Sequence, residues 1–173
     1  MRPRKATRDR EGVKAEREDV AMKLPMSAVR CIQRWRLGFV ATVTPDGRPN
    51  LSPKGTFIVV DGETIAFGEI RSPRTLANLT SNPELEVNFV DQFTRKGVRI
   101  RGRAALVRRG TAEFDSLFPE FEAQWGGLAG RVNVIVKIPV DEVRPLTTPP
   151  YDDGASEREM IALYKGKFAE MYP

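Results

Sequence analysis

The chain has 173 residues, a length expected to fold as one domain with a substantial core. Hydrophobic residues make up 40% and charged residues 29%, an ordinary globular balance, and no apolar run approaches the roughly 20 residues that span a bilayer. Histidine is absent and Cys31 is the sole cysteine, which excludes Ser-His and Cys-His nucleophiles, histidine general bases, His-metal centres, thiolate zinc sites and intrachain disulfides. If the chain is an enzyme, a bound cofactor is expected to carry the chemistry.

The net charge is +5. Eight Lys/Arg against five Asp/Glu in residues 1–24 place +3 of it there. This segment lacks apolar periodicity and reads as a flexible basic arm without the apolar region of a secretory signal. A cytoplasmic protein with no membrane attachment is expected. Nucleic acid is an unfavoured partner, because aromatic residues are not interleaved with the basic ones.

A helix is expected next, capped by Ser27, with Val29, Ile32 and Trp35 at helical spacing and Gly38 as its stop. The period then changes to two. Phe39–Thr44 reads as a strand, Pro45–Arg48 as a hairpin turn, about Pro49–Val60 as a second strand, and Asp61-Gly62 as another turn before a third strand from Thr64. Arg74–Ser81 reads as a helix with Leu76 and Leu79 inward, Ser72 at the N-cap and Pro73 in the first turn. Leu85–Val90 and Val98–Val107 read as strands, the latter with Arg99, Arg101 and Arg103 on one face and a bend at Gly102. A helix over Thr111–Trp125, kinked or divided at Pro119, precedes a sixth strand, Val132–Ile138. A connector over 144–155 and a helical tail, Ser156–Met171, complete the chain. The domains are therefore an arm (1–24), a barrel (25–143) and a connector with tail (144–173). The fold class is mainly β with short helices: six antiparallel strands suggest a small closed or split barrel, which the hairpin signals alone do not select over a sandwich.

Two segments carry candidate chemistry. Arg71-Ser-Pro-Arg-Thr75 lies between a strand and a helix N-terminus, where free N–H groups, the helix dipole and two guanidinium forks suit a phosphate. The same residues equally make a capped helix with exposed arginines. Ser52, Lys54 and Thr56 share one strand face beside Pro53, either lining a cofactor or forming a solvated edge. Arg99, Arg101 and Arg103 read as an anion site or as a solvated face. Trp125 reads as core or as a cover over a ring-shaped ligand.

Three runs together are similar to a known family. They are Gly38–Val43, the stretch Pro45-Asp-Gly-Arg-Pro-Asn-Leu-Ser-Pro-Lys-Gly-Thr56, and Ile70-Arg-Ser-Pro-Arg-Thr-Leu-Ala-Asn-Leu79. The chain resembles the pyridoxamine 5′-phosphate oxidase-like FMN-binding split barrels over about residues 25–140. The resemblance implies a six-stranded antiparallel split barrel and a homodimer with FMN at the subunit interface. It implies Ser72 and Arg74 at the FMN phosphate, with Arg71, Thr75 and Asn78 beside them. Ser52, Pro53 and Lys54 pass the flavin ring, and Phe67 and Gly68 end a strand that also touches the cofactor. Lys54 is the residue expected to tune the ring. The authentic oxidase has an arginine and a lysine where Ser52 and Phe57 stand here, and an Arg-Lys pair after the loop serine where Pro73-Arg74 stands. Its substrate-binding arginine and histidine have no counterpart. The expected function is an FMN-dependent oxidoreductase with a small-molecule substrate or a donor such as NAD(P)H. An F420- or haem-binding protein of the same fold and a non-catalytic flavin module are the alternatives.

Overall fold

The computed structural model describes residues 22–173. Most of the expected arm, 1–21, lies outside the described residues. Helix α1 (Met26–Arg34) opens the fold, followed by strands β1 (Gly38–Val43), β2 (Pro49–Lys54), β3 (Phe57–Val59) and β4 (Thr64–Glu69). Helix α2 (Pro73–Ser81) precedes β5 (Glu84–Val90), β6 (Gly97–Arg103) and β7 (Ala105–Arg108). Helix α3 (Ala112–Trp125), a 3-10 turn, the long strand β8 (Val134–Leu146), a second 3-10 turn and α4 (Glu157–Met171) complete it.

The strands pair antiparallel in the order β2-β1-β5-β6-β8-β4-β3, with β7 also on β8. The two ends of this order, β2 and β3, are consecutive in the chain, so the sheet curls into a split half-barrel. Pro49 and Pro53 confine β2 to an edge because neither can donate to a ladder. Inside the curl, Val40, Phe57, Phe67, Val87, Phe89, Ile100 and Val136 pack with Ile32 of α1, all of them fully buried. A second core lies outside, where Phe114 and Phe121 of α3 cover Ile58, Ala66 and Ile135. Strand β4 is covered on both faces and all six of its residues are buried. Each large aromatic or branched side chain so buried contributes roughly 1.5–3 kcal/mol.

The structure has eight strands where six are expected, because two long runs each divide. Pro49–Val60 breaks at Gly55-Thr56, where the Thr56 hydroxyl donates to the Gly68 carbonyl at 2.6 Å and the Gly68 amide bonds back to Thr56. Val98–Val107 breaks at Ala104, whose amide turns to the carbonyl of Pro83. A bulge at Arg101/Gly102 precedes this break. A Cβ on Gly102 would lie 2.2 Å from the Pro139 carbonyl oxygen, so only glycine lets the strands approach there.

Other boundaries also shift. Pro25, not Ser27, stands at the N-cap of α1. Gly38 is no helix stop but the first residue of β1, where a side chain would strike Phe57, Phe89 and Val87. Helix α3 runs unbroken through Pro119, with the Thr111 hydroxyl accepting from the Phe114 amide at its cap. Strand β8 continues to Leu146 through the start of the expected connector, because β6 pairs with its second half. Helix α4 starts with the Ser156–Glu159 capping box and buries Met160, while Leu163 stays exposed. Phe168 stacks edge-on against Phe93, and Lys96 pairs with Glu157 at 2.8 Å, which fastens α4 to the β5–β6 turn.

Candidate functional site

The edge strand β2 and the entry to α2 meet at one corner of the barrel. On β2, side chains alternate: Pro49, Leu51 and Pro53 face outward, while Asn50, Ser52 and Lys54 turn toward the corner. Lys54 is only 7% exposed. Its Nζ donates to the Ser52 hydroxyl at 2.6 Å and to the Ser72 hydroxyl. Two segments that the sequence keeps 18 residues apart are thus joined through one ammonium group. Burial pushes the Lys54 pKa below its ordinary value, and the nearby Glu69 carboxylate partly restores it.

The entry to α2 is open in an informative way. Ser72 occupies the N-cap position, but its hydroxyl caps no amide and instead accepts from Lys54. Pro73 has no N–H to offer. Among the described residues the amides of Arg74 and Thr75 have no partner, since the first bond of the helix runs from Leu76 back to Ser72. The Thr75 hydroxyl is buried and also unpartnered. A buried hydroxyl without a hydrogen bond costs about 1–3 kcal/mol. Arg71 and Arg74 are exposed and make no ion pair among the described residues. Together these groups form a corner rich in donors and suited to an anion.

The remaining candidates lie around this corner in different ways. Asn78 is buried one turn into α2, and its amide donates to the Thr42 hydroxyl at 2.9 Å. Asn50 donates to the same hydroxyl at 3.1 Å, so this chain of bonds locks α2 against β1 and β2. Pro53 points to the opposite face of β2. Phe67 is fully buried against Phe57 in the core, with the Lys54 Nζ 5.9 Å from its ring centroid. Gly68 contributes its backbone to the Thr56 break. Sequence reasoning missed Glu69, whose buried carboxylate accepts from the Ser72 amide. The signal available was an acid three residues ahead of a helix N-cap.

The arginine ladder is a different surface. Arg101 pairs with Glu86 at 2.8 Å and Glu142 at 3.4 Å, Arg103 with Glu84 at 2.5 Å, and Arg99 with Glu86 at 3.8 Å. It reads as a neutralised outer face. Trp125 packs on Phe121 beneath the Arg36 guanidinium, as part of the outer core. No helix among the described residues is long and apolar enough to cross a membrane.

A split barrel with a donor-lined corner between an edge strand and a helix entry defines the class. The chain belongs to the pyridoxamine 5′-phosphate oxidase family, whose model matches residues 25–165. No curated protein matches the sequence. Among solved structures, HupZ of Group A Streptococcus is 25% identical with a TM-score of 0.62, covering 72% of this chain and 95% of its own. An FMN-binding protein from Syntrophomonas wolfei is 13% identical with a TM-score of 0.60, covering 71% of this chain and 86% of its own. HutZ, the haem storage protein from Vibrio cholerae, is 19% identical with a TM-score of 0.59, covering 71% and 94%.

Proposed function

We propose that this chain binds FMN, with the phosphate at the entry to α2, and that it serves as a flavin-dependent oxidoreductase. The observation that carries the reading is the Lys54–Ser72 contact beside a buried, unpartnered Thr75 hydroxyl. A phosphate would give that hydroxyl and the free amides of Arg74 and Thr75 the acceptor they lack, with Lys54, Arg71 and Arg74 supplying charge. The fit is therefore to the phosphate first. Lys54 moves in this reading from the ring, where the family pattern puts it, to the phosphate end. When bound, FMN supplies the hydride and electron chemistry that a chain without histidine does not. The protein's own part is to hold the phosphate, to orient the ring along β2 past Ser52, and to keep water from the buried lysine.

The family resemblance adds a second copy of the chain. The outward face of β1 and β2 carries Phe39, Ala41 and Val43 opposite Pro53, Leu51 and Pro49. Phe39 and Val43 are each 40% exposed and Leu51 is 65% exposed, an apolar strip next to the proposed flavin strand. A partner covering this strip would complete the groove. A haem reading finds less support, because the chain has no histidine to ligate iron. F420 also carries a phosphate and remains the alternative to measure.

The test is titration of the purified full chain with FMN, F420 and haem, followed by addition of NAD(P)H to the flavin complex. Saturable FMN binding with reduction of the flavin supports the reading. Binding without reduction by any donor leaves a flavin-binding module, and failure to bind FMN rejects the reading.

A further inference from the structure

Glu69 is the last residue of β4 and is 8% exposed, yet it lies at the corner that gathers Lys54, Arg71 and Arg74. Its carboxylate accepts from the amide of Ser72 and lies close enough to Lys54 to raise that lysine's affinity for a proton. With Pro73 lacking an N–H, the entry to α2 offers three amides, those of Ser72, Arg74 and Thr75, and the carboxylate already holds the first. A carboxylate on a helix-entry amide satisfies the same donor, and the same end of the helix dipole, that a phosphate would. The two anions cannot both use it without cost, since like charges at contact distance in a poorly solvated corner repel.

We infer that Glu69 is an internal anion that competes with the ligand's phosphate for the entry to α2, and so sets how much of the cofactor's affinity its phosphate contributes. This rests on the phosphate reading above and adds a residue that opposes it. The consequence is a site held in a capped state when no ligand is bound, in which Lys54 and Ser72 stay ordered and an adventitious small anion binds weakly. A cofactor with a ring as well as a phosphate can offset the competition through its other contacts, whereas inorganic phosphate cannot. Glu69 thereby acts as a specificity-determining residue that selects for the whole cofactor.

The experiment compares the wild-type chain with Glu69→Gln, measuring affinity for FMN and for riboflavin, which has the same ring without the phosphate. Gln keeps an acceptor oxygen for the Ser72 amide while removing the negative charge. Glu69→Ala, which removes both, is the second variant, and thermal melting checks that each is folded. Glu170→Gln, on the exposed tail of α4, controls for net charge. The inference predicts that FMN binding tightens about tenfold in Glu69→Gln, the size of one pK unit of charge interaction, while riboflavin binding is unchanged. Inorganic phosphate should then compete with FMN at lower concentration in the variant than in wild type. An FMN-to-riboflavin affinity ratio that is unchanged or lower in both variants overturns the inference while leaving the phosphate site standing. FMN binding by neither wild type nor variants overturns the site and the inference together.

Discussion

Two regions of this barrel look alike in the sequence and differ in the fold. Arg99, Arg101 and Arg103 stand on β6 as a ladder of three positive charges, and Lys54, Arg71 and Arg74 gather at the entry to α2. Every arginine of the ladder meets a carboxylate from β5 or β8, at 2.5 to 3.8 Å. At the helix entry, Lys54 bonds to two neutral hydroxyls, and among the described residues neither Arg71 nor Arg74 makes an ion pair. Exposed pairs like those of the ladder contribute little stability, but they offset most of its charge, with Glu86 shared by Arg99 and Arg101 and Glu142 by Arg101 and Arg144. The difference teaches that basic residues mark a candidate site where they outnumber their counter-ions, here three cations around the one buried carboxylate of Glu69.

The sharpest way to break this comparison is to remove the buried charge. Lys54→Met should weaken FMN binding by roughly 10- to 100-fold, the range for losing a charge-assisted hydrogen bond, while riboflavin binding changes little. Equal loss for both flavins would show that Lys54 serves the ring instead. The next test sets the two regions against each other. Arg74→Ala should weaken FMN binding about tenfold, as expected for one lost phosphate contact, whereas Arg101→Ala should leave it unchanged. Comparable losses in both variants would mean that the ladder contributes to the site after all.

Thr75→Val sharpens the account from the side of stability. It replaces a buried hydroxyl that has no partner by a methyl group of the same shape. The ligand-free protein should become more stable by about 1 kcal/mol in a denaturant melt, and FMN binding should weaken several-fold. A destabilised variant would indicate that the hydroxyl has a structural role. The smallest effect is on pH. Burial lowers the Lys54 pKa, so in the free protein its charge is lost at a lower pH than for an ordinary lysine. By linkage, burying the charged form costs stability at neutral pH, and that cost is relieved as pH rises toward the ordinary lysine value. Affinity for FMN should run the opposite way, falling as pH rises from neutral toward the ordinary lysine value and the ammonium is lost. Lys54→Arg, which keeps its charge throughout, should abolish that fall; its persistence would assign the titration elsewhere.

Much of the fold was legible because it is local. The Asp46-Gly47 hairpin, the period-two run of β1, the Ser72-Pro73 helix entry and the tail helix from Ser156 are each written within a few residues. What was not legible depends on partners far along the chain. The break at Thr56 is made by Gly68, the break at Ala104 by Pro83, and the extension of β8 by pairing with β6. The arginine ladder is neutralised by Glu84, Glu86 and Glu142, whose positions opposite it follow from register and not from spacing. At the site, the phosphate-like loop was readable from its arginines and helix entry. The joining of Lys54 to Ser72 and the capping role of Glu69 were not, because both arise where β2, the end of β4 and α2 converge.

The most direct measurement of the central claim is a paired titration of the full chain with FMN and riboflavin at neutral pH and low salt, read by quenching of flavin fluorescence. The account predicts saturation at one flavin per chain, with FMN bound at least about tenfold tighter than riboflavin, the difference owing to charge-assisted bonds at the entry to α2. Equal affinity for the two flavins, or no binding of either, would contradict it.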